Sequence, residues 1–132
     1  RVMKNGKPLD QDPLFAARLA KVEIDLENMK TTNLRVIAAV AGGGVPGAES
    51  SMLKIKGTEI RQELFSLARR ALGVHALPYI AEALDEGYTG EPIGPQESAF
   101  AAAHYFNHRK LSIYGGSNEI QKNIISKMIL GL

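Results

Sequence analysis

The residues best suited to chemistry lie in one short run near the end of the chain, Tyr114-Gly115-Gly116-Ser117-Asn118-Glu119. Two consecutive glycines let a backbone approach a bulky ligand without a Cβ clash. Ser117 can cap a following helix, whose first turn presents unpaired N–H groups and the positive end of a macrodipole. An anionic pyrophosphate would be stabilised at such a corner. Taken alone, however, Gly-Gly-Ser before a helix is ordinarily a capped turn, and Tyr114 is equally well a core aromatic with its hydroxyl at the surface.

Other candidates carry less. His104 and His108 are four apart on one helical face, but no Glu lies between them in a His-Glu-x-x-His arrangement and no third ligand is evident, so no metal site is expected. Arg69 and Arg70 could contact phosphate, although cations near a helix C-terminus are explained by the macrodipole. The triplet Gly42–Gly44 belongs to a turn between helices, and no phosphate-loop pattern occurs. The absence of Cys removes disulfides, thiolate metal sites and a cysteine nucleophile together.

These residues need a scaffold, and 132 residues with 45% hydrophobic and 23% charged side chains describe one soluble globular domain. Sixteen Lys and Arg against fourteen Asp and Glu are interspersed along the chain, so no nucleic-acid footprint stands out. No apolar run approaches the roughly 20 residues of a membrane span, and the chain reads as intracellular. It opens on Arg1 and a polar stretch through Gln11, which reads as the C-terminal piece of something longer.

Asp12-Pro13 is a strong helix start. From there Phe15, Leu19, Val22, Leu26, Met29, Asn33, Val36 and Val40 form a heptad seam, which a second stripe through Ile24, Leu34 and Ile37 broadens beyond a two-strand coiled coil. Gly42–Gly44 and Pro46 end this helix after about 30 residues, roughly 45 Å. A second helix is expected from Glu49 to Leu72, with Gly73 as C-cap and Gly57 marking close approach by another helix or, less favoured, by a ligand. Residues 74–95 form a connection with one short helix near Tyr79 to Leu84. A third helix runs from about Gln96 to Lys110, with Ala99, Ala102, Ala103 and Phe106 on one face. A fourth, capped by Ser117, carries Ile120, Ile124, Ile125, Met128 and Ile129. Nothing alternates with period two long enough to demand a strand, and the expected fold is all-α, an antiparallel up-down four-helix bundle.

The run from Ser112 to Ile125 closely resembles the C-terminal signature of the acyl-CoA dehydrogenase family, Ile-Tyr-(Glu or Gly)-Gly-(Thr or Ser)-x-(Glu or Gln)-Ile-Gln-(Arg or Lys). Asn5-Gly6-Lys7-Pro8-Leu9 is similar to the family's Arg-x-x-Phe-Gly-x-x-Leu stretch leading into its C-terminal bundle, and Leu19-Ala20 with Glu23 matches the first helix. The resemblance implies that residues 1–132 are the C-terminal helical domain of a larger flavoenzyme, with 1–11 as the opening segment and 12–132 as the bundle. It implies FAD gripped partly by a neighbouring subunit, and bundles packed into homotetramers or heterotetramers. By the same resemblance Gly115, Gly116, Ser117, Glu119 and Arg1 are cofactor-binding and Tyr114 with Gly115 lines the acyl-thioester pocket. The parent would desaturate an acyl-CoA between its α and β carbons and pass electrons to an electron-transfer flavoprotein, in the cytoplasm or, in a eukaryote, the mitochondrial matrix.

The sequence departs from the family pattern at three places. Many members supply the catalytic Glu directly after the motif Tyr, where this chain has Gly115, so no catalytic residue is assigned; others carry the base on a helix preceding this domain. The flavin-gripping Arg sits four residues before the Gly, where this chain has Val2, with Arg1 one place off and Lys4 the nearest other cation. A Gln-x-x-Gly-Gly element reaching the partner's FAD is represented by Arg69-Arg70-Ala71-Leu72-Gly73. The alternatives are a non-catalytic helical assembly module and a silent subunit of a heteromeric complex.

Overall fold

A computed structural model describes residues 2–91 and 93–132. Arg1, the expected cofactor cation, lies outside the described residues. The expected all-α class is the one observed, with four helices in chain order: α1 (Pro13–Ala41), α2 (Glu49–Leu72), α3 (Ser98–Asn107) and α4 (Asn118–Leu130). The chain divides into two compact units, one of residues up to Ala20 with Gln62–Arg109 and one of Lys21–Arg61 with Lys110–Leu132.

The first unit opens on a feature the periodicity argument missed. Strands β1 (Met3–Lys4) and β2 (Lys7–Pro8) pair antiparallel, with Met3 opposite Pro8 and Lys4 opposite Lys7. Asn5 (φ 52°) and Gly6 (φ 74°) both sit in the left-handed region, as a two-residue type I′ hairpin turn requires. Strands of two residues are too short to show alternation, so the Asn-Gly pair is the only local signal for them. Lys4 Nζ then donates to Asp12 Oδ2 at 2.7 Å, while Asp12 Oδ1 accepts from the Phe15 N–H at 3.0 Å. One carboxylate thereby caps α1, where the sequence placed the cap, and ties the hairpin to it.

Within this unit Arg18 of α1 pairs with Glu63 of α2 at 2.7 Å. On α2 and α3, Phe65 stacks on His108 with ring centroids 3.7 Å apart, and the Arg69 guanidinium lies 4.8 Å from the Tyr105 ring, so the two helices run antiparallel. The buried face is Leu67 with Ala99, Ala102 and Ala103, against short 3-10 segments at Gly73–Ala76 and Ala81–Leu84 that bury Ala76 and Ala83. Alanine suits this contact because it lets backbone approach backbone at no cost in side-chain entropy. Phe106, expected on that face, is instead exposed. It meets Tyr105 edge-on at 5.6 Å, and the backbone tightens into a 3-10 segment at His108–Ser112, so the buried stripe ends one turn early.

In the second unit α1 and α2 run antiparallel, since Asp25 pairs with Lys56 at 3.0 Å while Val36 and Ala39, further along α1, line one cavity with Glu49 and Met52 at the start of α2; Met29 Sδ lies 3.5 Å from where a Cβ on Gly57 would stand. Gly57 therefore faces α1 at ordinary contact distance, which would also admit a Cβ. Hydrogen bonding to Asp25 holds the Lys56 ammonium above its ordinary pKa. Val22 and Ile60 are buried. The expected width of the α1 face needs correction, since Ile24, Leu34 and Ile37 are 61%, 58% and 55% exposed, and Leu26, Asn33 and Val40 of the seam are exposed too. One neighbouring helix covers one side of α1, and an apolar stripe wider than that needs a second partner. Likewise α4 has no fully buried residue, and Ile120, Met128 and Ile129 face outward. Among the described residues no helix is long and apolar enough to cross a membrane.

Candidate functional site

In the second unit the chain enters α4 through Gly115 (φ 68°) and Gly116 (φ 82°), both in the left-handed region. The space where a Cβ of Gly115 would stand is open, whereas a Cβ on Gly116 would run into the side-chain amide of Gln121. That amide donates to the Gly115 carbonyl at 3.3 Å. Ser117 is extended and caps the helix, its Oγ accepting from the Ile120 N–H at 3.3 Å.

The Glu119 carboxyl is held below its usual range by its own backbone N–H, then by the Ser117 hydroxyl, with smaller help from Lys122 and Lys54. An ionised carboxylate therefore already occupies the positive end of α4. A phosphate at the same spot would meet a like charge, but a hydroxyl or amine donor would find an acceptor. The arrangement is therefore suited to a neutral, donor-bearing group.

Two α2 residues that the sequence did not single out hold this corner in place. Lys54 Nζ donates to the Leu111 carbonyl at 3.2 Å and to Asn118 Oδ1 at 3.0 Å. The Thr58 hydroxyl hydrogen-bonds to the carbonyls of Lys54 and Leu111 at 2.9 and 3.3 Å. Their separation of more than 50 residues from Leu111 leaves no local signal. Tyr114 is half-exposed, with the Lys110 ammonium 6.0 Å from its ring centre, so it is not a core aromatic.

The first unit holds a second candidate, a cavity of about 870 Å³ lined by Lys4 of the hairpin, Arg70 and Gly73 at the end of α2, His75, Pro95 and Glu97 among others. Arg70 makes no hydrogen bond or ion pair among the described residues, whereas Lys4 is tied to Asp12. Arg69 and Arg70 thus separate. Arg69 packs on Tyr105 with its Nε buried and without an acceptor among the described residues, while Arg70 lines the cavity. Gly73, at φ +58°, turns the chain three residues beyond Arg70. Elsewhere in this unit His104 and His108 stack on Phe65, and His108 Nδ1 lies 2.7 Å from the His104 carbonyl oxygen. Among the described residues no three His, Asp or Glu side chains are grouped to hold a metal.

Residues 1–130 match the family described as acyl-CoA dehydrogenase, C-terminal domain. The chain belongs to that family. Among solved structures, a chain of the ChsE4-ChsE5 complex from Mycobacterium tuberculosis is similar, with a TM-score of 0.71 and 25% sequence identity. The match covers 100% of this chain and 32% of that one. No curated protein sequence matches. This acyl-CoA dehydrogenase domain thus spans about a third of the solved relative.

Proposed function

We propose that this chain is the FAD-contacting and oligomerisation domain of an acyl-CoA dehydrogenase whose parent carries out α,β-dehydrogenation of an acyl-CoA thioester. The observation that carries the reading is that Arg70, whose guanidinium has no partner among the described residues, and the Lys4 hairpin line one cavity. They do so at the two places where the family pattern reaches the cofactor. FAD when bound supplies the hydride acceptor. Arg70, at the element that in the family reaches the partner subunit's FAD, and Lys4 offer cations to the pyrophosphate of that neighbouring FAD. Ser117 and Glu119, with the glycine bend of Gly115 and Gly116, offer acceptors and exposed backbone to the adenosine side of FAD. Tyr114 and Gly115 border the acyl-thioester pocket. Arg1 remains a cofactor-binding candidate on the family pattern alone.

The base is assigned to no residue of this chain, because Gly115 stands where many members have Glu. The exposed apolar stripes of α1 and α4 suit packing against neighbouring bundles. Whether that assembly is homotetrameric or heterotetrameric follows from purification, and the solved relative comes from a two-component complex. The alternative is a silent subunit of a heteromer, which requires that the parent also lack a base on the helix preceding this domain. An electron-transfer flavoprotein is the proposed electron acceptor, and a cytoplasmic or matrix location is the proposed compartment.

The test is to purify the full-length protein, with any co-purifying partner, and look for a flavin spectrum that acyl-CoA bleaches under anaerobic conditions. Preparations that contain no flavin and cannot be reconstituted overturn the cofactor reading. Flavin that no acyl-CoA reduces overturns the activity and leaves the silent-subunit reading.

A further inference from the structure

We infer that the cavity between α1 and α2 in the second unit is a binding site for a small amphipathic carboxylate, which shares Lys54 with the bracing of the glycine bend. The cavity measures about 490 Å³, within the range of small-molecule sites. Its apolar lining comes from Met29, Leu53 and Leu111, and its charged lining from Lys30, Lys54 and Arg61, with no Asp or Glu among the lining residues. Three like charges around one cavity repel one another, and an anion relieves that repulsion.

The cations are also uncommitted to different degrees. Arg61 makes no hydrogen bond or ion pair among the described residues. Among the described residues Lys30 reaches only Glu27, one turn away along an exposed face, at 3.6 Å. Lys54 is the most committed of the three, fixed by two neutral oxygens, of Leu111 and Asn118, with its charge also felt by Glu119. A guanidinium with free N–H groups accommodates a carboxylate in two parallel hydrogen bonds. Gly57 leaves room beneath the charges, since its nearest neighbour in place of a Cβ is Met29 Sδ at ordinary contact distance. A headgroup held by Arg61, Lys30 and Lys54 with a short hydrocarbon over Met29, Leu53 and Leu111 satisfies both linings.

The test uses 8-bromooctanoate with the full-length protein. Calorimetry should show binding that weakens at least tenfold in the Lys30→Gln/Arg61→Gln double variant, and 8-bromooctanol should bind at least tenfold more weakly than the acid. Crystals soaked with the acid should show bromine anomalous density beside Leu53 and Leu111. Flavin content should stay the same in the double variant, which separates this result from the cofactor reading. Bromine found only elsewhere, an affinity unchanged in the double variant, or equal binding of alcohol and acid overturns the proposal. So does inorganic phosphate competing as strongly as the fatty acid, which would leave only a patch of cations.

Discussion

Gln121 donates its side-chain amide to the Gly115 carbonyl at 3.3 Å, so the bend preceding α4 is closed by a residue of α4 itself. The space that a side chain on Gly116 would need is the space Gln121 fills. Replacing Gly116 by Val therefore does two things. It forces a β-branched residue to φ near +82°, a strain of about 1–3 kcal/mol, and it expels the amide that closes the bend. The full-length Gly116→Val protein should retain less FAD, measured as flavin per protein after gel filtration. Unchanged occupancy would remove the proposed backbone approach.

Ser117→Ala should lower stability by about 1 kcal/mol in chemical denaturation, the usual cost of losing an N-cap. It also removes the hydroxyl that helps keep Glu119 ionised. A carboxyl with a depressed folded pKa contributes stability that is present above its unfolded value and lost as pH falls through the folded one. The difference between wild type and Ser117→Ala should therefore be full at neutral pH and shrink on acidification below the usual glutamate range. A difference independent of pH would show that the serine acts on the helix alone.

Asp12 is held below its usual range first by the hydrogen bond from Lys4, then by the Phe15 N–H. Asp12→Asn keeps an acceptor for the Phe15 N–H and loses the charge facing Lys4, whereas Asp12→Ala loses both. Thermal midpoints at pH 7 should fall in the order wild type, Asn, Ala. By the same sign argument, the advantage of wild type over Asn should vanish as pH drops through the folded carboxyl pKa. Equal midpoints for wild type and Asn would show that the hairpin tether contributes nothing to stability.

The sequence made the helices legible because their punctuation is local. Asp12-Pro13, Gly73 and Ser117 stop and start elements where the structure does. The width of the apolar stripes was equally visible, but a stripe does not say who covers it, and Ile24, Leu34 and Ile37 face outward from this chain. At the glycine bend the residue types were readable and the electrostatics were not. That Glu119 takes the α4 N-terminus for itself depends on its own N–H and the Ser117 hydroxyl lying within reach. The bracing by Lys54 and Thr58 and the separation of Arg69 from Arg70 are tertiary facts with no pattern along the chain.

That separation gives the sharpest test of the cofactor reading. Arg70 lines the cavity beside the hairpin and is otherwise unpaired among the described residues, while Arg69 packs on Tyr105. Arg70→Ala in the full-length protein should weaken FAD retention, by about tenfold or more if a charge-assisted bond worth about 1.5–3 kcal/mol is lost, with the melting temperature of the flavin-free form nearly unchanged. Arg70→Gln, which supplies the amide of the family's Gln-x-x-Gly-Gly element three residues before Gly73, should recover part of that loss. Arg69→Met should behave in the opposite way, lowering the flavin-free melting temperature through lost stacking on Tyr105 while changing FAD affinity little. If Arg70→Ala binds FAD as the wild type does and Arg69→Met does not, the cation that meets the cofactor has been assigned to the wrong side of α2.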